Sequence, residues 1–290
     1  MANQIDSKTK ICGLLGYPIG HSISPLIHNE LAARYGQNLV YVPLQVAPEK
    51  LKDAIAGADA WEFLGMNVTI PYKQDVIPYL TQIDPVAKQI GACNTLVRIE
   101  GGYKGYNTDA PGLYRAMEEA GAPIEGTDAV VLGAGGVAKA IVYMLAEHGV
   151  RRIFILNRTQ EKAQALAEEL NAYYRKAFAY GMEMAAYRKL PEKDLLVIQA
   201  TNIGMTPNTD AVVIEDPDFY SRIGFAVDVI FNPMETKFMA LAKAAGAGVM
   251  NGLKMLLYQG IIAYELWNHV EVSAKDAQEI YALMLQKLQG

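Results

Sequence analysis

The sequence predicts an α/β protein of two domains, and three features of the chain carry that expectation. Apolar, strand-like runs alternate with amphipathic helical stretches over most of its length. In the second half those runs are almost continuously apolar, as strands are when helices cover a parallel sheet on both faces. A length of 290 residues, 51% of them hydrophobic, is enough to bury two cores of ordinary size.

The first series of strands reads ICGLLGY, NLVYVPLQV, LGMNVTI and NTLVRIEGGYKGYNT, the last holding a Gly101-Gly102 turn between two arms of a hairpin. After the first strand, GYPIGHSISPLIHNELAARYG turns at Tyr17-Pro18 and enters a helix opened by Pro25 and closed by Gly36. In NVTIPYKQ, Val68, Thr69 and Ile70 predict a strand that Pro71 ends, because proline cannot donate to the ladder. No Pro/Ser-rich linker, internal repeat or low-complexity segment marks a boundary. We therefore place it near Asp109, where a helix through Leu113, Ala116 and Met117 leads into the second series. That series reads DAVVLGAGG, RRIFILNR, DLLVIQAT and GFAVDVI, separated by helices such as residues 159–170. From Leu253 onward the chain reads as helical, and residues 173–193 are too polar and aromatic to assign.

Composition excludes several kinds of function. A net charge of −5 and a pI near 5.5 leave no broad basic face for a phosphate backbone, so no nucleic-acid partner is expected. Cys12 and Cys93 are too few for a disulfide framework or a four-cysteine zinc site and sit in apolar surroundings as small hydrophobes. The start MANQIDSKTK has no apolar core and no run of 18 apolar residues occurs, so a cytoplasmic protein without a membrane span is expected.

The clearest chemical signal opens the second series. VVLGAGGVAKA sets Gly133, Gly135 and Ala138 in GxGxxG/A spacing after an apolar strand and at a helix start. The first glycine permits a tight turn, the second lets backbone approach a pyrophosphate, and the small third residue packs helix on strand. The free N–H groups of the helix start favour an anion. The segment Gly133, Ala134, Gly135, Gly136, Val137, Ala138 and Lys139 is thus expected to cradle a dinucleotide; the competing expectation is a tight turn with no ligand.

The next strand ends in Asn157, Arg158 and Thr159 instead of the acidic residue that accepts a ribose 2′-OH, and Lys139 lies one helical turn into the motif. Cations and donors suit a 2′-phosphate, which favours NADP over NAD. Alternatively Thr159 is only an N-cap and Arg158 a solvated side chain. In the first series, Ser24 is placed as the helix N-cap, while Ser22 and Ser24 together suit a small carboxylate. Lys73 follows a strand's C-terminal end, where α/β proteins gather their chemistry, and GACNTL and YNTDAPG supply Asn94 and Asp109.

Together GYPIGHSISP, NVTIPYK, GACNTL, YNTDAPG, LGAGGVAKA, NRT, ATNIGM, DVIFNP and NGLKMLLYQG occur in the order and spacing of the shikimate dehydrogenase family, which the chain resembles over nearly its whole length. The resemblance implies NADPH-dependent reduction of 3-dehydroshikimate to shikimate, a step toward aromatic amino acids. Lys73 and Asp109 match the family's catalytic pair. Ser22 and Ser24 match residues holding the substrate carboxylate, and Thr69, Asn94 and Gln259 those holding ring hydroxyls. Thr201 of ATNIGM, Gly252 and Met255 match cofactor-side positions. The expected organisation is a substrate domain of residues 1–109 with 253–290, its C-terminal helices returning to it, and a Rossmann-type NADP domain of residues 110–252. A small-molecule substrate and a monomer or homodimer go with that expectation.

Two positions depart from the family pattern: Gln199 stands where asparagine is usual, and Phe231 where many members carry a tyrosine that contacts the carboxylate. Among alternatives, a quinate/shikimate dehydrogenase using NAD would favour an acidic residue where NRT stands. A short-chain dehydrogenase would need a Tyr-x-x-x-Lys pair, and the chain has none. A zinc enzyme lacks HExxH, and His21, His28, His148 and His269 are scattered, so no metal is expected. A non-catalytic NADP-binding protein would not need both Lys73 and Asp109.

Overall fold

The computed structural model describes residues 5–20 and 22–289; His21 lies outside them. Two compact units divide the chain, Met1–Gly112 with Leu257–Gly290 and Leu113–Leu256.

The first unit is built on strands β1 (Lys10–Gly16), β2 (Leu39–Gln45), β3 (Gly65–Val68), β4 (Gln82–Ile83), β5 (Thr95–Ile99) and β6 (Gly102–Tyr106). They lie in the order β2-β1-β3-β5-β6-β4, parallel except that β5 runs antiparallel to β3 and β6. Pro43 is tolerated in β2 because that strand is an edge, where a missing N–H breaks no ladder. The β5–β6 hairpin turns at Gly101 and Gly102, both at positive φ, where a side chain would be strained. Helices α1 (Ser24–Arg34), α2 (Leu51–Ala60), α3 (Pro85–Ile90) and α4 (Asp109–Glu119) follow the strands in turn.

One core of this unit joins Leu15, Met66, Val68 and Leu96 to Ile55, Tyr72 and Tyr103. Over another part of the sheet, Gly65 makes room for Trp267: a Cβ there would lie 2.1 Å from the indole Nε1, which donates to the Leu96 carbonyl at 2.9 Å. Strand β3 stops at Val68 rather than running through Ile70 to Pro71. Thr69 N still donates to Leu15 O at 2.9 Å and Tyr17 N to Ile70 O at 3.2 Å, so backbone pairing with the β1 segment continues through Ile70 beyond the regular strand.

The second unit contains β7 (Asp128–Leu132), α5 (Gly136–Glu147), β8 (Arg152–Asn157), α6 (Gln160–Tyr174), β9 (Ala179–Glu183), β10 (Leu195–Gln199), α7 (Pro217–Tyr220), β11 (Ile223–Asp228), α8 (Lys237–Ala244) and β12 (Gly248–Met250). Its sheet is wholly parallel in the order β12-β11-β10-β7-β8-β9. Counted from β7, that is the doubly wound order whose direction reverses between β7 and β10, the place where such sheets bind ligands. Helices α9 (Leu253–Asn268) and α10 (Ala274–Gln289) complete the chain.

Buried strands such as DAVVL and LLVIQ explain the continuous apolar runs of this half. Residues 173–193, unassigned from sequence, supply β9 and a 3-10 turn at Met184–Lys189. Gly181 in β9 lets α6 lie close, since a Cβ there would meet the Gln164 backbone at 2.3 Å. Arg151 and Arg152 fork onto the buried Asp128, each reaching Oδ2 at 2.6 Å through Nη2. Burial alone would push the Asp128 carboxyl up, but the two guanidinium groups hold it well below the usual carboxylate range. Among the described residues no helix is long and apolar enough to cross a membrane.

Candidate functional site

Lys73 and Asp109 come together in the first unit. Lys73 lies in the turn after β3, its backbone fixed by a hydrogen bond from Cys93 N to Lys73 O of 2.7 Å. Asp109 opens α4, where Asn107 Oδ1 accepts from the N–H groups of Asp109 at 3.1 Å and Ala110 at 3.3 Å. The YNTD segment therefore folds into a side-chain cap that presents the carboxylate at a helix start, where negative charge is favoured. Lys73 Nζ donates to Asp109 Oδ2 at 2.6 Å, with the side chains 25% and 12% exposed. This is a short, charge-assisted bond at a place that solvent still reaches.

The other carboxylate oxygen is held from behind. Asn94 Nδ2 donates to Asp109 Oδ1 at 2.9 Å and to Thr108 Oγ1 at 3.0 Å, while Asn94 Oδ1 accepts from Thr108 N at 2.7 Å. Gln259 Oε1 of α9 lies 3.5 Å from the same Asn94 nitrogen. The helices approach closely because Gly112 has no side chain: a Cβ there would fall 2.6 Å from Gln259 N. Four of the residues expected around the substrate, Lys73, Asn94, Asp109 and Gln259, thus form one connected group.

Thr69 packs against the end of β1, and Ser22 lies in the loop that follows that strand, with Ser24 at the start of α1. Gly16 ends that strand, and a Cβ on it would lie 2.4 Å from Thr69 Cγ2. Ser24 does not cap α1 as the sequence suggested. It is the first helical residue, Ile23 holds the cap position without a side-chain bond, and Ser22 Oγ accepts from Ser24 N at 3.2 Å. The helix begins one residue earlier than expected, so Ser24 contributes its backbone N–H to the first turn and the hydroxyl of Ser22 satisfies it.

In the second unit the glycine motif forms the β7–α5 turn. Gly133 has φ +118°, and a Cβ on it would stand 3.1 Å from both Ala200 O and Thr201 Cγ2, so this position requires glycine and brings Thr201 against the motif. Around Gly135 and Gly136, by contrast, a Cβ would meet nothing within 4 Å. Gly135 occupies the N-cap position of α5 without a side-chain bond. Bare backbone facing open space at an uncapped helix start fits a pyrophosphate. The departure at Gln199 has a local use: its Nε2 donates to Ile203 O at 2.8 Å and its Oε1 accepts from Thr201 Oγ1 at 2.7 Å, shaping the loop that carries Thr201.

The groups expected at a 2′-phosphate have different surroundings. Arg158 is exposed and pairs with no carboxylate among the described residues. Asn157 Nδ2 donates to Thr159 O at 2.9 Å, and Thr159 sits at the N-cap of α6 without a capping bond from its side chain. Lys139 Nζ pairs with Glu169 at 2.9 Å, and the Tyr143 hydroxyl donates to the same carboxylate at 2.9 Å.

Phe231 is half-buried in the loop after β11. Asp228 anchors that loop by accepting from Ile230 N at 3.0 Å and from the Thr236 hydroxyl at 2.6 Å, and burial pushes its carboxyl up to about 6. The loop closes on Gly252, where a Cβ would meet Val229 O at 2.0 Å; Met255 follows in the first turn of α9. Sequence reasoning missed Asn107, Asp228 and Thr236. NTDA and the threonine before KFMALAKA are recognisable cap signals. Among the described residues no group of three or more His, Cys, Asp or Glu is placed to hold a metal ion.

Comparison with known proteins agrees in both halves. Residues 14–96 match the model of the shikimate dehydrogenase substrate binding domain, and residues 116–203 that of shikimate / quinate 5-dehydrogenase. The shikimate dehydrogenase (NADP(+)) of Moorella thermoacetica is 44% identical over 265 residues, 91% of this chain and 90% of that protein. A shikimate dehydrogenase solved with NADP+ superposes with a TM-score of 0.88 at 37% identity, covering 98% of each chain. The Thermus thermophilus enzyme, solved with NADP(H) and shikimate, gives 0.83 at 32% identity over 95% of this chain and 99% of its own. Similarity of this extent, in sequence and in structure and through both strand series, makes the chain a member of the shikimate dehydrogenase family.

Proposed function

We propose that Lys73 supplies the proton in a reversible NADPH-dependent reduction of 3-dehydroshikimate to shikimate, with Asp109 orienting it. The observation that carries this is the 2.6 Å contact between the Lys73 ammonium and a carboxylate already anchored by Asn94 and by a helix start. NADPH, when bound, supplies the hydride to the ring ketone. As that carbonyl carbon is reduced, the C=O electron pair moves onto oxygen, and the Lys73 ammonium both neutralises the developing alkoxide and gives it a proton. Lys73 is then reprotonated from solvent, which its partial exposure permits. In the oxidative direction neutral Lys73 takes the hydroxyl proton.

Within the same proposal Asn94, Thr69 and Gln259 hold ring hydroxyls and Ser22 and Ser24 the carboxylate. The bare Gly135–Gly136 backbone and the uncapped start of α5 hold the pyrophosphate, and Thr201, Gly252 and Met255 lie on the cofactor side. Arg158 reads the 2′-phosphate, a role supported by its exposure and lack of a carboxylate partner among the described residues. A cytoplasmic monomer or homodimer belongs to the same proposal.

The test is a matrix of shikimate or quinate against NADP or NAD. NADPH absorbance should appear fastest with shikimate and NADP. Preference for quinate and NAD would transfer the chain to the other branch of its family, and no turnover with any pairing would remove the enzymatic function.

A further inference from the structure

A row of buried polar side chains crosses one face of the first sheet, behind the Lys73–Asp109 pair and outside every role assigned above. Tyr41 in β2, Asn67 in β3 and Thr95 in β5 are 2%, 3% and 0% exposed. Asn67 and Thr95 stand directly opposite each other in the β3–β5 ladder, and Tyr41 is paired with Cys12 of the intervening β1. The Tyr41 hydroxyl donates to Asn67 Oδ1 at 2.8 Å, and Asn67 Nδ2 donates to Thr95 Oγ1 at 3.0 Å. Thr95 Oγ1 lies 3.3 Å from Asn94 Oδ1 and 3.1 Å from Thr108 Oγ1. From Asn94 the line continues through Nδ2 to Asp109 Oδ1.

The chemistry of these groups fixes the direction of the line. Asn67 Oδ1 has no hydrogen, so Tyr41 must donate to it, and the Asn67 amide is oriented with its nitrogen toward Thr95. Thr95 receives that hydrogen and turns its own toward Asn94 or Thr108. Asn94 Oδ1 also accepts from Thr108 N, so the Asn94 nitrogen faces the carboxylate. Turning the Asn94 amide over would set N–H against N–H at Thr108 and withdraw the donor from Asp109. A one-way line of donors ending on a carboxylate polarises each bond in the same sense, and low dielectric strengthens the effect. Against the head of the line, His28 of α1 stacks on Tyr41 at 4.1 Å and Trp267 of α9 lies at 6.1 Å, so the tyrosine ring is walled in.

We propose that Tyr41, Asn67 and Thr95 are positioning residues for the proton-donating pair: they fix the Asn94 amide, and through it the Asp109 oxygen that remains for Lys73. The proposal rests on the assignment of Lys73 and Asp109 given above. Its effect belongs to the chemical step, because none of the three side chains is exposed enough to meet a substrate.

The test compares Thr95→Val, which keeps the shape and removes the hydroxyl, with Thr95→Ser and Tyr41→Phe, using shikimate and shikimate deuterated at the carbon that loses hydride. For Thr95→Val, kcat should fall roughly tenfold, in line with what a slight misplacement of a catalytic group costs, while KM for NADP stays within about twofold. The deuterium effect on kcat should rise as chemistry becomes slower than product release. Thr95→Ser should restore both values, and Tyr41→Phe should show the same signature more weakly. A smaller folded fraction lowers kcat without changing the isotope effect, so that result would overturn the proposal, as would a Thr95→Val enzyme with kcat within twofold of the parent. Should Thr95→Val not fold, Tyr41→Phe decides alone on the same isotope criterion. Near-normal turnover in Lys73→Met is a separate outcome that removes the pair itself, and the proposal with it.

Discussion

Replacing Asp109 with asparagine preserves shape but cannot preserve both contacts of the carboxylate. Oδ2 accepts from Lys73 Nζ at 2.6 Å and Oδ1 from Asn94 Nδ2 at 2.9 Å. An asparagine that turns its oxygen to Lys73 sets its own NH2 against Asn94, and one that turns its oxygen to Asn94 sets NH2 against the ammonium. Either way a charge-assisted bond is lost, worth about 1.5–3 kcal/mol, and a donor is stranded at a further cost of about 1–3 kcal/mol. Lys73 is a quarter exposed, so water relieves part of this, and we take the total as about 3 kcal/mol. If that stabilisation is expressed in the transition state, kcat falls roughly 10²-fold. The assay is NADPH absorbance with shikimate and NADP, and KM for NADP should hardly change because the glycine motif lies in the other unit. Combined with Lys73→Met, the Asp109→Asn loss should largely disappear, since the two groups act as one. An Asp109→Asn enzyme that keeps more than about a tenth of parental kcat, or losses that simply multiply, would rule out this coupling.

Arg158→Leu should weaken NADP binding by about 1.5–3 kcal/mol and leave NAD binding nearly unchanged, as measured by cofactor titration; unchanged NADP affinity would move selectivity elsewhere. Phe231→Tyr should lower shikimate KM by the equivalent of about 1–2 kcal/mol if the added hydroxyl reaches the substrate carboxylate, and should not affect an analogue in which that carboxylate is neutral. Burial lowers His28 from its ordinary 6.5 to about 3, so the unfolded chain binds the extra proton below pH 6.5 and stability falls as pH drops toward 3, by about 5 kcal/mol in all. Asp228 acts in the opposite sense: raised from 3.8 to about 6, it holds its proton in the folded state, and stability rises by about 3 kcal/mol as pH falls from 6 to 3.8. The two terms nearly cancel between pH 6 and 4, so His28→Gln should make the protein gain stability on acidification across that window in urea titrations; an unchanged slope would mean that His28 does not govern it.

The parallel sheet was legible because its strands are buried on both faces and read as unbroken apolar runs, and the glycine motif because its requirements are local. The hairpin was equally local, set by two glycines at positive φ. Strand β9 escaped notice because it is a five-residue edge strand of mixed polarity, held in place by the close approach of α6 at Gly181. The catalytic candidates were named through motifs shared with a family, but what binds them together could not be. Asn67, Thr95 and Tyr41 lie on three strands, and only the register of the sheet shows that their side chains form one line. Ser24 is not the cap because the helix begins one residue earlier, a boundary shift that local residue types do not fix. Lys139 illustrates the limit of reading charge from spacing, since its partner Glu169 lies on another helix thirty positions away.

Everything in the mechanism turns on Lys73 giving the alkoxide its proton, and Lys73→Met is the sharpest probe of that step because the variant keeps the bulk of the stem and lacks only the ammonium. The measurement is the single-turnover rate of hydride transfer with saturating NADP and shikimate, together with NADP affinity. The rate should fall roughly 10²–10⁴-fold while NADP affinity stays unchanged. A Lys73→Met enzyme that transfers hydride at a near-parental rate would contradict the mechanism.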